Sequence, residues 1–298
     1  VTAVAVGTAP RWRAWARARG LRPTVWLAVP AAVFMVAFFV YPLCYGVGLS
    51  FQAPGGVFAA YRDFFADGYQ RNSIWITLEL SLPTALISVV AAVPLAYRMR
   101  GPFRGKRTLT AVILVPLTLG SVFVADGMIN FLGPNGWFNR VLRLLHVVDR
   151  PVVLIHNFVG VLLSMLISVF PLAFLLVLGY IGGIDRSLEQ AAAVSGAGPW
   201  QRFRLVLLPL LLPGLTITFA LSFVLAFAVF PSATLVGDPA GSTRVVSIVA
   251  YTAYSRADYY SASAVAVIMG VVELVVLGFV FLVRSRLYRG AGMSGGKG

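Results

Sequence analysis

The stretch Asp185-Arg186-Ser187-Leu188-Glu189-Gln190-Ala191-Ala192-Ala193-Val194-Ser195-Gly196-Ala197-Gly198-Pro199-Trp200, running on through Phe203 to Leu208-Pro209, separates two long uncharged runs. No charged residue lies between Arg150 and Asp185, and none between Arg204 and Asp238. Asp185 suits an N-cap, because its carboxylate accepts from the free N–H groups of a first helical turn. Leu188, Ala191, Ala192 and Ser195 then fall on one face of a short helix. Gly196 supplies the stop, and Gly198-Pro199 break the chain before a second helix starts near Trp200. The segment therefore reads as a helix–glycine–helix elbow, polar and small-residued, set between two apolar spans. Small residues on such an elbow let another protein's surface approach its backbone closely.

The flanking runs decide the fold class. Of 298 residues, 59% are hydrophobic and 11% are charged, against about 25% charged in soluble domains. A third uncharged run lies between Arg22 and Arg62. About 20 apolar residues in helix cross a bilayer, and helix is the form that satisfies its own backbone there. The pattern predicts an all-α integral membrane protein with six spans, near 24–50, 72–97, 108–132, 152–182, 210–236 and 260–283. The elbow then joins spans four and five. One domain is expected over 23–284, with basic tails at 1–22 and 285–298.

Charge placement sets the expected orientation and removes a competing function. The net charge of +14 would suit nucleic acid if it formed one patch. Instead it collects in alternate segments: Arg11, Arg13, Arg17, Arg19 and Arg22; then Arg98, Arg100, Arg104, Lys106 and Arg107; then Arg284, Arg286, Arg289 and Lys297. That alternation is the positive-inside pattern of a multi-pass protein of the bacterial inner membrane, and it puts both termini and the elbow in the cytoplasm. No nucleic-acid partner is implied. The run after Arg22 is longer than a signal-peptide core and reads as a retained anchor. Cys44, the single cysteine, cannot pair internally.

Outside the spans, Trp12 and Trp15 among arginines suggest a short interfacial segment. Connection 52–71, with Pro54, Gly55 and Gly56, reads as a loop, and connection 237–259 opens on Gly237-Asp238-Pro239-Ala240-Gly241. Connection 133–151 starts with the turn Gly133-Pro134-Asn135-Gly136 and continues as an amphipathic helix. Trp137, Val141, Leu144, Leu145 and Val148 form its apolar face, with Asn139, Arg140, Arg143 and His146 opposite.

The elbow resembles the EAA motif of binding-protein-dependent ABC importer permeases: Glu-Ala-Ala, three residues, Gly, nine residues, Ile, one residue, Leu-Pro. Gly196, Val206, Leu208 and Pro209 fall on its spacing, with valine for isoleucine. Counted back from Gly196, Glu-Ala-Ala lands on Gln190-Ala191-Ala192, so glutamine stands where the family has glutamate, beside Glu189. Ser195 replaces a frequent aspartate. Tyr41-Pro42, Gly136-Trp137-Phe138-Asn139, Phe170-Pro171, Pro213-Gly214 and Phe230-Pro231 also look like the family, nearest the branch serving polyamines, sulfate, ferric iron or phosphonates.

The resemblance implies a type I importer permease whose elbow is a coupling helix docking in a groove of a separate ATP-binding cassette ATPase. Glu189, Gln190, Ala191, Ala192, Gly196 and Pro209 would form that contact. The implied partners are an ATPase dimer, a second permease subunit as homologous heterodimer partner, an extracytoplasmic solute-binding protein and the bilayer. ATP and Mg would sit on the ATPase. This chain has no Gly-x-x-x-x-Gly-Lys-Ser/Thr loop to cradle phosphates, so it is expected to bind no cofactor and to be no enzyme. The solute would be small and polar or charged: a polyamine, phosphonate, sulfate, iron or a sugar.

Three carboxylates, Glu79, Asp126 and Glu273, fall within expected spans, where such groups are costly and face a bundle interior or a watery path. At ~1.5 Å per residue, Glu79 and Asp126 would lie roughly 10 Å below the outer surface. They could line a path for a cationic solute, hold helices together by hydrogen bond or ion pair, or be surface carboxylates near a misplaced span boundary. As proton relays they would instead serve a secondary ion-coupled transporter, which would show two repeat halves and no ATPase elbow. His146 and His156 have no metal-type spacing with carboxylates, so no metal site is expected.

Overall fold

The computed structural model describes residues 29–101 and 104–289, with side chains as far as Arg286. The expected segment around Trp12 and Trp15, the whole tail 1–22 and the end of the chain past Arg289 lie outside the described residues. Among the described residues the chain is helical without strands. In order these helices are α1 (Val29–Ser50), α2 (Ala59–Ala66), α3 (Gly68–Met99), α4 (Lys106–Leu119), α5 (Ser121–Leu132), α6 (Trp137–Leu144), α7 (Phe158–Gly183), α8 (Arg186–Val194), α9 (Pro199–Phe227), α10 (Val246–Ser255) and α11 (Tyr259–Arg289). Five of them, α1, α3, α7, α9 and α11, are long and apolar enough to cross a membrane, and α4 with the segment after it makes a sixth, bent span.

The core is the packing of α3 against α7 and α9. The buried face of α3 is a stripe of small residues, Ser73, Thr77, Ser81, Thr84, Ala85, Ser88, Ala92 and Ala96. In lipid, apolar side chains gain little by leaving the solvent, so close backbone approach across small residues is what holds helices together. Into the grooves so formed go Val161, Met165, Val169, Phe174, Val177 and Ile181 of α7 and Leu207, Leu211, Phe223 and Phe227 of α9. Truncating Phe174 to alanine would cost about 3–5 kcal/mol by the cavity it leaves. By contrast α1 buries almost nothing except Ser50 and packs along α11, leaving Phe34, Phe38 and Phe39 exposed.

Two spans expected to be continuous are broken. The third divides at Gly120, whose φ of 80° and ψ of 157° are closed to a residue with a Cβ, and the chain bends there by 107°. Apolar periodicity continues through the break, which is why it reads as one span in sequence. The fifth ends at Phe227 instead of 236. After Ala228–Phe230, Pro231 lacks the N–H needed to continue the ladder, and Ser232–Val236 form a π-helical turn instead. π-Helical turns also precede Pro42 and Pro209, where the Tyr41 N–H reaches the Val36 carbonyl and the Leu208 N–H reaches that of Phe203. The two breaks face each other across a cavity of about 270 Å³ lined by Pro116, Gly120, Ser121, Ser168, Val229 and Ser232.

The connections on the side away from the elbow hold more structure than their loop-like composition suggests. Residues 237–259 contain α10, which lies back on α3: the Thr77 hydroxyl accepts the Val246 N–H at 2.9 Å while donating to the Ser73 carbonyl at 2.7 Å. Helix α2 occupies the connection 52–71, and α3 starts at Gly68 with Asp67 accepting the Tyr69 N–H. The Tyr69 hydroxyl donates to the Ala240 carbonyl and Arg244 sits 3.9 Å over its ring. Helix α6 is present as expected, but Asn139 belongs to its buried side, not its polar one. Its amide donates to the carbonyls of Gly133 (2.9 Å) and Val152 (3.0 Å) and accepts the Val152 N–H (2.7 Å), while Trp137 and Leu144 are exposed. An asparagine satisfied at both ends of its amide stitches the turn before α6 to the strand-like segment after it. Asn139→Ala should therefore lower thermal stability in detergent by about 2 kcal/mol, whereas Arg140→Ala on the same helix should leave the melting temperature unchanged.

Candidate functional site

The elbow forms as its sequence dictates. Asp185 caps α8, its carboxylate accepting the Ser187 N–H at 2.9 Å. That N–H and the Ser187 hydroxyl, with a smaller contribution from Arg100, hold the Asp185 carboxyl below the usual carboxylate range. Its charge supports the helix start at neutral pH, and the support is lost as pH falls through the lowered value. Helix α8 ends in a Schellman turn: Gly196 takes φ 84°, its N–H bonds the Ala193 carbonyl and the Ala197 N–H bonds that of Ala192, both at 3.0 Å. A Cβ at Gly196 would meet no atom within 4 Å, so the turn needs the glycine's backbone conformation and not its small size. The Gly198 N–H is taken by the Gln201 side chain at 2.9 Å, and Pro199 opens α9.

The elbow's second arm is not a separate helix. Helix α9 runs from Pro199 to Phe227 through Pro209 and Pro213, so the arm that carries Trp200 is the first turn of the fifth span itself. A push on the elbow is a push on that span.

The first arm is tied to the second span. Arg100, at the C-terminal end of α3, forms an ion pair with Glu189 and also donates to the Ile184 carbonyl, and Arg186 donates to the Arg100 carbonyl. Both side chains of the pair are largely buried. Sequence reading assigns Arg100 only to the positive-inside surplus; with 89 residues between the partners, no local signal links them. Glu189 is thus engaged within the chain, while Gln190 and Ala191 are exposed and Ala192 is half-buried beneath the glycine turn. Among its exposed residues the elbow carries large apolar side chains: Val194 is 90% exposed, Trp200 68% and Leu188 46%. Trp200 is held flat against Phe203 with ring centroids 5.6 Å apart, and Phe203 meets Tyr97 of α3 edge-on at 5.6 Å.

The three span carboxylates do not converge. Glu79 lies on the exposed face of α3 with Trp75, Leu82, Leu86 and Val90. Asp126 is exposed on α5, where the Asn130 amide donates to its backbone carbonyl at 3.0 Å. Glu273 is half-buried on α11. Among the described residues no three His, Cys, Asp or Glu side chains come close enough to share a metal. His156 is used structurally, its N–H bonding the Val236 carbonyl at 2.7 Å and Nδ1 lying 3.2 Å from the Gly237 carbonyl.

Residues 52–289 match the family described as binding-protein-dependent transport system inner membrane component. The chain belongs to this family. It is 28% identical over 211 residues to a probable sulfate transport system permease protein of Prototheca wickerhamii, covering 70% of this chain and 80% of that one. It is 30% identical over 181 residues to the molybdenum transport system permease protein of Haemophilus influenzae, covering 59% of this chain and 77% of that one. Its fold matches a chain of a bacterial alginate ABC transporter, solved with an alginate pentasaccharide-bound periplasmic protein, with a TM-score of 0.76 and 22% identity over 89% of this chain and 94% of that one. The chain is a multi-pass permease subunit of a binding-protein-dependent ABC importer, a transmembrane component and not itself an enzyme. The secondary-transporter alternative has no support in these relatives.

Within this permease the Arg100–Glu189 pair makes the elbow and the second span one mechanical unit. Removing one member of a largely buried pair strands the other charge and costs about 3 kcal/mol. Glu189→Gln should therefore lower the melting temperature of the purified permease. The exchange Arg100→Glu with Glu189→Arg should recover more than half of that loss, while a Gln190→Ala control changes nothing.

Proposed function

We propose that this permease couples to a separate ATP-binding cassette ATPase through α8 and the first turn of α9. The observation that carries this reading is the exposed apolar tip, Val194, Trp200 and Leu188, standing on a segment that is otherwise rigidly capped and ion-paired. Exposed large apolar side chains on a rigid polar-rimmed element mark a protein contact. Charge placement supports an elbow and both termini on the cytoplasmic side of the bacterial inner membrane, the side where ATP is available.

In this reading, ATP and Mg are held entirely by the partner, and closure of an ATPase dimer displaces the elbow. Because α9 continues from it and Arg100 ties it to α3, both spans follow, and the helix breaks at Gly120 and Ala228–Pro231 supply the joints on the far side. A second permease subunit, as a homologous heterodimer partner, completes the pathway, and an extracytoplasmic binding protein delivers the solute. Relatives named for sulfate and molybdenum support a small polar or charged solute, and anionic ones above cationic, since Glu79, Asp126 and Glu273 build no shared cation site.

The test is co-expression with the cognate ATPase and reconstitution. Val194→Asp and Trp200→Asp should each abolish co-purification of the ATPase. Gly196→Val, forced into a left-handed conformation at about 1–2 kcal/mol, should lose ATP-driven uptake, while Gly196→Asn, which tolerates that conformation, retains it. Stoichiometric ATPase recovery with both aspartate variants would contradict the proposal.

A further inference from the structure

An apolar groove of about 670 Å³ runs between α3 and α9, walled by Val89, Val90, Val93, Phe203, Leu208 and Leu215. Beside its elbow end lies a basic cleft of about 370 Å³ whose described lining includes Arg98, Arg100, Arg186, Arg202 and one carboxylate, Glu189. The two spaces share Tyr97 and Arg98. Glu189 is committed to Arg100, and Asp185, whose charge also feels Arg100, is committed as the cap of α8. Among the described residues the buried Arg202 Nε–H meets no acceptor, a donor that costs free energy until something accepts from it. From Val89 to Arg100 the helix rises roughly 16 Å, about half the thickness of a hydrocarbon core.

We infer that this composite groove is a binding site for an anionic phospholipid of the leaflet on the elbow side. An acyl chain would lie along Val89, Val90 and Val93 against Phe203 and Leu215, and the phosphate would face the cleft arginines. The apolar half argues for a lipid over a free anion, because a soluble phosphate gains nothing from it. With Glu189 neutralised by Arg100, the charges of Arg186 and Arg202 argue for a net-negative headgroup over a choline-bearing one, whose ammonium they repel. The site spans α3 and the first turn of α9, so an occupied groove braces the elbow against the second span. The leaflet assignment rests on the orientation proposed above, and the groove shares Trp200 with the proposed ATPase contact.

Native mass spectrometry of the intact importer complex, released from nanodiscs of mixed phosphatidylglycerol and phosphatidylcholine, tests this. We expect phosphatidylglycerol to be retained on the permease in preference to phosphatidylcholine. Its occupancy should fall about fivefold in Arg202→Gln, and should fall similarly in Val90→Trp, which fills the groove from its exposed side without touching a charge. Millimolar inorganic phosphate should not displace it. Equal retention of the two lipids, retention unaffected by both variants, displacement by inorganic phosphate, or loss of lipid whenever the ATPase is bound would each overturn the proposal. Phosphatidylglycerol retention can be scored on the Val194→Asp permease, whose altered residue lies outside both lining sets, so the two readings fail separately.

Discussion

A bilayer core offers a backbone no hydrogen-bond partner except the chain's own, and that constraint organises this molecule. Long helices are the default, so every departure from helix has to be closed off by protein. The departures here are few and each is closed off. Gly120 and the Ala228–Pro231 break shelter against each other across one cavity, and the π-helical turns adjoin Pro42, Pro209 and Pro231, where an N–H is missing. Breaks that stiffen nothing on the elbow side and interrupt two spans on the other side divide the permease into a rigid end and a jointed end.

The rigid end is where the charges are. An arginine at the end of α3 and a glutamate in α8 satisfy one another in a largely buried setting, and the glycine turn fixes the angle between α8 and α9. Helix α9 passes into its span through a π-helical turn at Phe203–Leu207 and with no non-helical break, so the elbow's second arm is continuous with that span. Force applied at Val194 and Trp200 has two routes into the membrane, along α9 directly and through Arg100 into α3. Gln190 fits this setting: with Glu189 held internally and Val194 and Trp200 exposed, the proposed contact would rest on shape and burial more than on a carboxylate.

How much of this was legible in the sequence follows from range. Spans declare themselves through composition over about 20 residues, so the membrane class and the positions of five helices could be read directly. The elbow was legible because its signals are local: Asp185 before a helix, Gly196 after it, Pro199 at the next start. Gly120 was not, since a lone glycine in an apolar run is compatible with an unbroken helix and only its φ and ψ reveal the bend. Asn139 was misplaced for the reverse reason: helical periodicity put a polar residue outside, while its partners at Gly133 and Val152 come from the flanking turns. The Arg100–Glu189 pair and the Thr77–Val246 contact join residues far apart in the chain, where no single-sequence pattern reaches. The carboxylates Glu79, Asp126 and Glu273 were conspicuous by cost, yet the fold leaves them on separate helices.

In the proposed coupling, the elbow tip is where the chemical energy of ATP enters this chain. Its most direct measurement is disulfide or short-linker cross-linking from Val194→Cys, made with the exposed Cys44 replaced by alanine, in the assembled importer with and without ATP. The account predicts a single adduct with the ATPase whose yield changes with nucleotide. Absence of any ATPase adduct from position 194, in a complex that still takes up solute, would contradict it.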